Sequence, residues 1–406
     1  MKRSVVITGM GMVTPLGLNV RDTWNALIQG QNGISRIRRF DPTGYPVRFA
    51  AEINDCPIPQ QDLSTLSQKI IAQLKGAFTY KALREALDMS GLDTQGQKIG
   101  VCIGSEAARP SLSNLVQQLD EHRLPSKEDI QSMAPAAPAE LIKEMTGITG
   151  DISIISTACT SSSQAVGEGL RRIRRGEVDS MIVGGVDVLV DPLMVMGFSL
   201  LGALSTRNDA PEHASRPFDI DRDGFVLGEG AGFLILEEEE KALKRDAQIL
   251  GSLRGFGCSC NAYRITDSPP DGRGAAQSMH AALADAQLRP EDIGYINAHG
   301  TSTKMNDASE TRGILRAIGD KVSVSSTKSM MGHLVAACGA VETIVALQAI
   351  RTGILPPTRN LENIDPECQL NHIANTAIEK KISHAISNAF GFGGSNGSLV
   401  VSKWPL

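Results

Sequence analysis

Short β-branched apolar segments in the first half of this chain recur in the same order in the second half. Leu250–Gly257 corresponds to Arg3–Gly9, and Ile293–His299 corresponds to Ile99–Ser105. The remaining pairs are Val322–Lys328 with Ile152–Thr160, Ala385–Phe390 with Met181–Val183, and Leu399–Val401 with Gly232–Leu236. Strand-like segments that alternate with helical ones are typical of α/β proteins. The sequence therefore predicts a duplicated αβ unit, with an N-terminal half over 1–248 and a C-terminal half over 249–406.

Two helical segments hold corresponding places in the two halves, Ala165–Arg175 and Leu334–Ile350. Both follow a strand, and both are rich in small and apolar residues on every side. A helix that is apolar all round is buried in the interior of a protein. We therefore expect both helices to lie between sheets.

Composition excludes several classes of function. The net charge is −5, whereas a nucleic-acid-binding protein needs a basic surface. The seven cysteines are odd in number and spread along the chain, which favours reduced thiols in the cytoplasm. No apolar run is expected to approach the roughly 18 residues of a membrane helix. We expect a cytoplasmic enzyme with neither a nucleic-acid nor a membrane partner.

Cys159 lies where a strand-like segment meets a helix rich in serine and threonine. A helix N-terminus stabilises a thiolate and offers backbone N–H groups to an oxyanion. This position predicts a nucleophile with a lowered pKa. The alternative is a buried core cysteine, since free cysteine is often buried.

Two histidines follow strands in the second half. His299 precedes a glycine and three hydroxyl residues, at the edge of a sheet where α/β sites gather. His333 precedes the long apolar helix, and Lys328 ends the strand before it. Glu342 lies inside that helix, where an unpaired carboxylate is costly, so Lys328 is its expected partner. The alternative for each histidine is a core side chain with its hydrogen bonds satisfied.

A glycine-rich turn, NAFGFGGSNG, occupies 388–397. Glycine permits close approach of the backbone and positive φ angles. A phosphate loop is a weak alternative, because neither of the common phosphate-binding patterns is present.

Four segments together resemble the β-ketoacyl-acyl-carrier-protein synthases, the elongating condensing enzymes of the thiolase superfamily. They are TACTSSS (157–163), NAHGTST (297–303), STKSMMGHL (326–334) and NAFGFGGSNG (388–397). Supporting matches are VVITGMGMVTPLG (5–17), ALSTRND (203–209) and RPFDIDRDGFVLGEGAG (216–232). The resemblance covers essentially the whole chain and is strongest to the bacterial type II, single-domain synthases. It implies a thiolase-like fold in which the duplicated units form a five-layered αβαβα sandwich.

The resemblance also implies a reaction. An acyl chain would pass from acyl carrier protein to Cys159 and then condense with malonyl carrier protein, with loss of CO₂. The product would serve fatty-acid synthesis or a polyketide or specialised-lipid pathway. Both substrates would be carried on 4′-phosphopantetheine, so no metal and no dissociable cofactor is implied.

By the same resemblance, the N–H groups of Cys159 and Phe392 would form an oxyanion hole. His299 and His333 would hold the malonyl thioester oxygen, and the Lys328–Glu342 pair would orient them. Phe392 would gate the site. The substrate-binding residues would be Thr301 and Thr303 on the pantetheine arm, Phe198 and Ala107 on the acyl chain, and Phe390 and Gly393 in the closing loop.

The chain departs from the family at several places. Glu106 is an unusual charge beside the acyl tunnel, and we expect it to pair with Arg109 or with an arginine of a second subunit. The alternatives are that it faces outward or that it meets a polar or unsaturated acyl group. Ala107 is small, which predicts a wide tunnel. The loop before the second half's first helix reads NAYRITD (261–267) where the family usually has Asp and His.

Partners are expected from the resemblance as well. The edge strand Ile152–Ser156 would form a homodimer, with a heterodimer beside a homologous subunit as the alternative. Acyl carrier protein would dock on basic residues. The candidates are Lys69, Lys127, and the helix-end cluster Arg171, Arg172, Arg174 and Arg175, for which a solvated helix face is an equal explanation.

Sequence features disfavour four other functions for this chain. A chain-length factor usually lacks the cysteine or a histidine, whereas Cys159, His299 and His333 are all present. A thiolase would carry a second cysteine in the closing loop, which has none. A dinucleotide site at Val5–Gly11 lacks its third glycine. A zinc site on Cys159 and the two histidines would block the thiolate.

Overall fold

The secondary structure follows the predicted alternation. The structure is a computed structural model that describes residues 3–59, 66, 73–107, 112–124 and 126–405. Its strands are β1 (Val5–Val13), β2 (Ser35–Arg36), β3 (Phe49–Ala50), β4 (Gly100–Ser105), β5 (Ile152–Ile155), β6 (Ser180–Asp187), β7 (Gly230–Glu238), β8 (Gly251–Cys260), β9 (Tyr295–Asn297), β10 (Ser323–Ser325), β11 (Ile354–Leu355), β12 (Asn371–His372), β13 (Ile378–Glu379), β14 (His384–Phe390) and β15 (Ser395–Ser402).

The helices connect these strands. They are α1 (Val20–Ile28), α2 (Leu74–Ser90), α3 (Leu112–Asp120), α4 (Lys127–Met133), α5 (Ala137–Thr146), α6 (Ser161–Arg174), α7 (Pro192–Leu200), α8 (Glu239–Lys244), α9 (Arg273–Ala286), α10 (Lys304–Ala317), α11 (Lys328–Met331) and α12 (Cys338–Thr352). Single 3₁₀ turns that bear on the site are Ala158–Thr160, Val335–Ala337 and Phe392–Gly394.

The large sheet is two copies of one strand order. Its strands run β12-β10-β9-β14-β15-β8-β1-β7-β6-β4-β5. β1 and β8 meet in the middle as an antiparallel pair. Outward from this pair, β7-β6-β4-β5 and β15-β14-β9-β10 repeat the same sequence of antiparallel and parallel pairings. The predicted correspondence of strands is therefore confirmed, while the boundary between 248 and 249 stays a prediction.

Helices cover the sheet halves in five layers. α2 packs on β1 and β7 of the first half, and α9 packs on β8 and β15 of the second. Between the halves lie α6 and α12, which contact each other and strands of both halves. Every residue of α12 from Cys338 to Ile350 is buried, and the helix ends at Gly353 in the left-handed conformation. The αβαβα arrangement and the central place of both apolar helices are confirmed.

One expectation about apolar runs was wrong. Val335–Thr352 is long and apolar enough, by length and composition, to cross a membrane, although it contains Glu342 and Arg351. In the structure 89% of this segment is buried inside the fold. It is the core helix between the two sheet halves, and a buried core helix needs the same apolar composition as a membrane span.

Candidate active site

Cys159 lies in the single turn Ala158–Thr160 between β5 and α6. Ala158 has φ +51°, a strained value for a residue with a side chain. The glycine-rich loop packs directly on this turn, since a Cβ atom at Gly391 would lie 3.0 Å from the Thr157 oxygen and 3.3 Å from the Cys159 nitrogen. Glycine at 391 therefore lets the backbone of Phe392 reach the sulfur.

His333 contacts the nucleophile. Its Nε2 lies 3.0 Å from the Cys159 Sγ, and its Nδ1 accepts a hydrogen bond of 3.2 Å from the Val335 N–H. Because Nδ1 is an acceptor here, the neutral ring carries its proton on Nε2. His333 therefore presents an N–H donor to the reacting groups and is not a base for the thiol.

His299 lies beside His333. The two imidazole rings are 5.1 Å apart, centroid to centroid, and nearly perpendicular. The Glu310 carboxylate fixes the turn that carries His299, accepting hydrogen bonds from the backbone N–H groups of His299 (2.8 Å) and Gly300 (2.7 Å) and from Asn388 (3.2 Å). Burial raises the pKa of Glu310 to about 7.

Glu310 and Asn388 were missed at the sequence level. The available signal was a carboxylate at 310 that shares a helix face with Gly313, Ile314 and Ala317, which are small or apolar and buried.

Lys328 and Glu342 form the predicted ion pair, fully buried behind the histidines. Burial alone would lower the pKa of Lys328. The negative charges around it, that of Glu342 the largest, together with the hydrogen bond to Glu342 outweigh burial and raise the pKa, so Lys328 stays cationic. Burial, together with that nearby charge, holds the pKa of both His299 and His333 well below 6.5. Both imidazoles are therefore neutral near pH 7, as hydrogen-bond donors to an enolate must be.

The expected lowering of the thiol pKa is wrong for this closed site. Burial raises the pKa of Cys159 to about 12, and the Lys328 charge offsets only part of this. The backbone N–H groups of Phe392 and Cys159 also donate to the sulfur and lower the pKa. Loss of solvation outweighs the helix terminus because Cys159 is buried, with only 8% of its surface exposed. The two N–H groups still converge as the predicted oxyanion hole requires.

A cavity of about 470 Å³ opens onto the thiol. Cys159 and the two histidines line its floor, and Phe198, Phe225, Phe390 and Phe392 form much of its wall. The Phe392 and Phe198 rings are 6.3 Å apart. Thr301 and Thr303 also line the cavity, whereas Ala107 and Gly393 are not among its lining residues. The acyl-tunnel role of Ala107 stays a prediction.

The variant loop 261–267 borders the mouth of this cavity. Thr266 and Asp267 line it, and the Ile265 oxygen accepts a hydrogen bond of 2.7 Å from the Gly393 N–H. Asp267 is paired with Arg264. The loop therefore supports the glycine-rich turn from the solvent side.

The Glu106 carboxylate faces the turn that carries Cys159. Its carboxylate accepts hydrogen bonds from the Ser156 hydroxyl (2.6 Å), the Ala158 N–H (3.1 Å) and the Ser161 hydroxyl (3.2 Å). The proposed partner Arg109 lies outside the described residues. Backbone and hydroxyl donors of this turn satisfy the carboxylate within the described residues, and its pairing with an arginine stays a prediction.

The arginine cluster on α6 is engaged within the chain. Arg172 pairs with Asp151 and Glu177, Arg174 with Asp285, and Arg175 with Glu168 and Glu177. Arg171 stacks on the Phe256 ring. These contacts favour a structural role over carrier docking. Of the other candidates, Lys127 is exposed on α4 and Lys69 lies outside the described residues.

The Cys159 sulfur and one ring nitrogen of each histidine lie within 4.8 Å of one another, so these three residues have a spacing that zinc could use. His299, Cys338 and Glu342 form a second such group. A zinc ion on the first group would occupy the sulfur that attacks the substrate.

Comparison with known families decides among these interpretations. The family model "Beta-ketoacyl synthase, N-terminal domain" matches residues 2–242, and "Beta-ketoacyl synthase, C-terminal domain" matches residues 250–362. This chain belongs to the β-ketoacyl synthase family. Cys159 lies within the first matched range, and His299 and His333 lie within the second.

Individual relatives align over nearly their whole length. A 3-oxoacyl-[acyl-carrier-protein] synthase 2 of Coxiella burnetii is 42% identical, covering 99% of each chain. A β-ketoacyl synthase structure from Burkholderia phymatum superposes with a TM-score of 0.89 at 34% identity, covering 99% of this chain and 100% of that one. A ketosynthase bound to a hexaketide in complex with its type II polyketide acyl carrier protein superposes with a TM-score of 0.88 at 31% identity, with the same coverage.

Proposed function

We propose that this β-ketoacyl synthase accepts an acyl chain from acyl carrier protein on Cys159 and condenses it with malonyl carrier protein. One observation carries the proposal. Two backbone N–H groups and two neutral histidines converge on a single buried thiol at the floor of a largely apolar cavity. Such a set can stabilise two different oxyanions, one at each step of the reaction.

The first step is a thioester exchange. The Cys159 sulfur attacks the acyl carbonyl, and the N–H groups of Cys159 and Phe392 hold the oxyanion of the tetrahedral intermediate. The intermediate collapses by breaking the bond to the pantetheine sulfur, which leaves as the thiol. A thiol is consumed and a thiol is released, so the exchange needs no net proton even though the pKa of Cys159 is about 12.

The second step forms the carbon–carbon bond. The malonyl thioester oxygen binds the histidine pair, and the Nε2–H of His333 donates to it as CO₂ departs and an enolate forms. The enolate carbon attacks the acyl group on Cys159, whose sulfur leaves and takes up one proton. Burial, reinforced by the Lys328 charge, keeps both imidazoles neutral, and Phe392, packed near Phe198, separates the acyl and malonyl steps.

Acyl carrier protein is the partner that delivers both substrates, with Thr301 and Thr303 contacting its pantetheine arm. The cavity mouth supports this docking, because Lys304 is exposed there and the apolar Leu201 and Met305 beside it are 60% and 45% exposed. An acidic partner with an apolar contact fits such a mouth. All seven cysteines are free thiols, which fits a cytoplasmic location.

A homodimer completes the proposal. β5 is the outer strand of the sheet, and each of its residues, Ile152 to Ile155, is only partly buried. An exposed apolar edge strand pairs readily with another strand. Light scattering at micromolar concentration should give a mass of twice 43.2 kDa. A fully active monomer would refute the dimer, and an obligate pair with a homologous subunit would refute only its symmetry.

The proposed function is tested at the nucleophile. The Cys159→Ala variant should form no acyl-enzyme by intact mass and should not condense, whereas Cys258→Ala, which removes an exposed thiol, should react like wild type. Condensation at a near wild-type rate by Cys159→Ala would overturn the assignment. A panel of acyl carrier protein thioesters in the same assay would reveal the preferred acyl chain.

A further inference from the structure

Glu106 is a charged side chain that the reaction described above does not use. It follows the end of β4, and its carboxylate turns toward the residues that flank Cys159. The three contacts to Ser156, Ala158 and Ser161 bracket the nucleophile on both sides of the chain. These contacts reach the backbone of the turn itself, through the N–H of Ala158.

The turn needs such a support. Ala158 adopts φ +51°, and its N–H is among the first of the turn, where no preceding carbonyl of the helix can accept it. Ser161 also supports the turn. Its hydroxyl proton is shared between the Ala158 oxygen (2.7 Å) and the Glu106 carboxylate (3.2 Å), and its oxygen accepts from the Thr157 N–H (2.9 Å). Glu106 therefore supplies the acceptor for a backbone donor beside the catalytic sulfur.

A buried polar chain extends from Glu106 to the histidine side of the site. The Lys75 ammonium, almost completely buried, donates to the Glu106 backbone oxygen and to the Ser105 hydroxyl. It also lies 3.9 Å from the Asp187 carboxylate, which accepts a hydrogen bond of 3.1 Å from the Ala336 N–H. Ala336 belongs to the turn just after His333. The same chain of contacts thus reaches both catalytic turns.

We propose that Glu106 is a positioning residue that holds the Ala158 turn so that the N–H groups of Cys159 and Phe392 converge on the reacting oxygen. The proposal rests on the proposed function for its catalytic consequence. Glu106 does not contact the thiol and does not itself line the cavity, so it acts through the backbone of Ala158. Misplacement of the oxyanion donors slows acyl transfer without weakening the binding of the carrier protein.

The test compares two uncharged substitutions of Glu106. Both lose the negative charge, so a difference between them does not come from the charge. Glu106→Gln keeps an oxygen acceptor for the Ala158 N–H, whereas Glu106→Ala removes it. The rate of acyl transfer to Cys159, followed by intact mass, should be at least roughly tenfold lower in Glu106→Ala than in Glu106→Gln, with the loss in kcat and not in KM. Glu240→Ala, which alters an exposed carboxylate on α8, should match wild type.

A second measurement does not depend on the proposed function. Iodoacetamide should alkylate Cys159 more slowly in Glu106→Ala than in Glu106→Gln, while the exposed Cys258 of the same molecules reacts equally. Should wild type accept no acyl group from any carrier thioester, a slower Cys159 alkylation would sustain the positioning role while the proposed function fails. Equal Cys159 rates in the Gln and Ala variants, in both assays, would overturn the inference.

If Glu106→Ala does not fold, Glu106→Asp replaces it, because the shorter side chain withdraws the carboxylate from the Ala158 N–H. The expected result is a smaller loss of the same kind. Wild-type acylation by Glu106→Asp would then refute the role of Glu106.

Discussion

Removing one charge of the buried pair Lys328–Glu342 should lower the stability of the fold. Substituting Glu342→Ala leaves the Lys328 ammonium uncompensated at a site with at most 1% exposure. Breaking a buried pair by removing one partner costs about 3–5 kcal/mol. For a chain of 406 residues, an unfolding entropy of roughly 2.1 cal/mol/K per residue converts this into a Tm lower by about 4–6 °C.

The loss should depend on pH. Without the Glu342 charge, which raises the pKa of Lys328, burial dominates and the folded pKa falls below the unfolded value. The unfolded chain then binds more protons than the folded chain, so stability rises with pH. The stability that Glu342→Ala loses relative to wild type should therefore be larger at about pH 6 than at about pH 9, when both proteins are compared by calorimetry at each pH.

The double variant Lys328→Met with Glu342→Leu supplies the matched control. It removes both charges and fills most of the volume of the two original side chains. It should therefore recover most of the stability that Glu342→Ala loses. A loss that is independent of pH and equal in the single and double variants would show that cavity formation, and not an uncompensated charge, governs this site.

Three further predictions concern the reaction itself. Cys159→Gln should block acylation yet keep malonyl decarboxylation, because its amide resembles the acylated cysteine. Adding His299→Ala to the Cys159→Gln variant should abolish CO₂ release, and undiminished release would exclude His299 as the enolate donor. Burial lowers the pKa of His299 and His333 well below 6.5. The decarboxylation rate of Cys159→Gln should therefore stay flat between about pH 8 and pH 6.5 and fall only in more acidic buffer. If the rate has already fallen by half at pH 6.5 or above, the two histidines are not neutral as inferred. Ala107→Phe should shorten the longest acyl chain accepted in a panel of carrier thioesters, and an unchanged profile would place the tunnel elsewhere.

The sequence determined the order of elements and the chemistry of the site. The duplicated pattern predicted the pseudo-symmetric sheet, because strand and helix periodicities are local properties of the chain. The Lys328–Glu342 contact was also predictable, since a carboxylate inside an apolar helix has to be paired.

Tertiary structure alone decided the electrostatics and the supports of the nucleophile. The sequence placed Cys159 at a helix start and suggested a lowered pKa, but the closed cavity made desolvation the larger effect. Glu310 and Glu106 act through backbone N–H groups 11 and 52 residues away in the chain. Contacts of side chains with distant backbone leave no pattern in the sequence, because any carboxylate in the right place can accept from any residue's N–H. Only the pairing of β4 with β5, and the placement of α10 against the turn that follows β9, bring these donors and acceptors together.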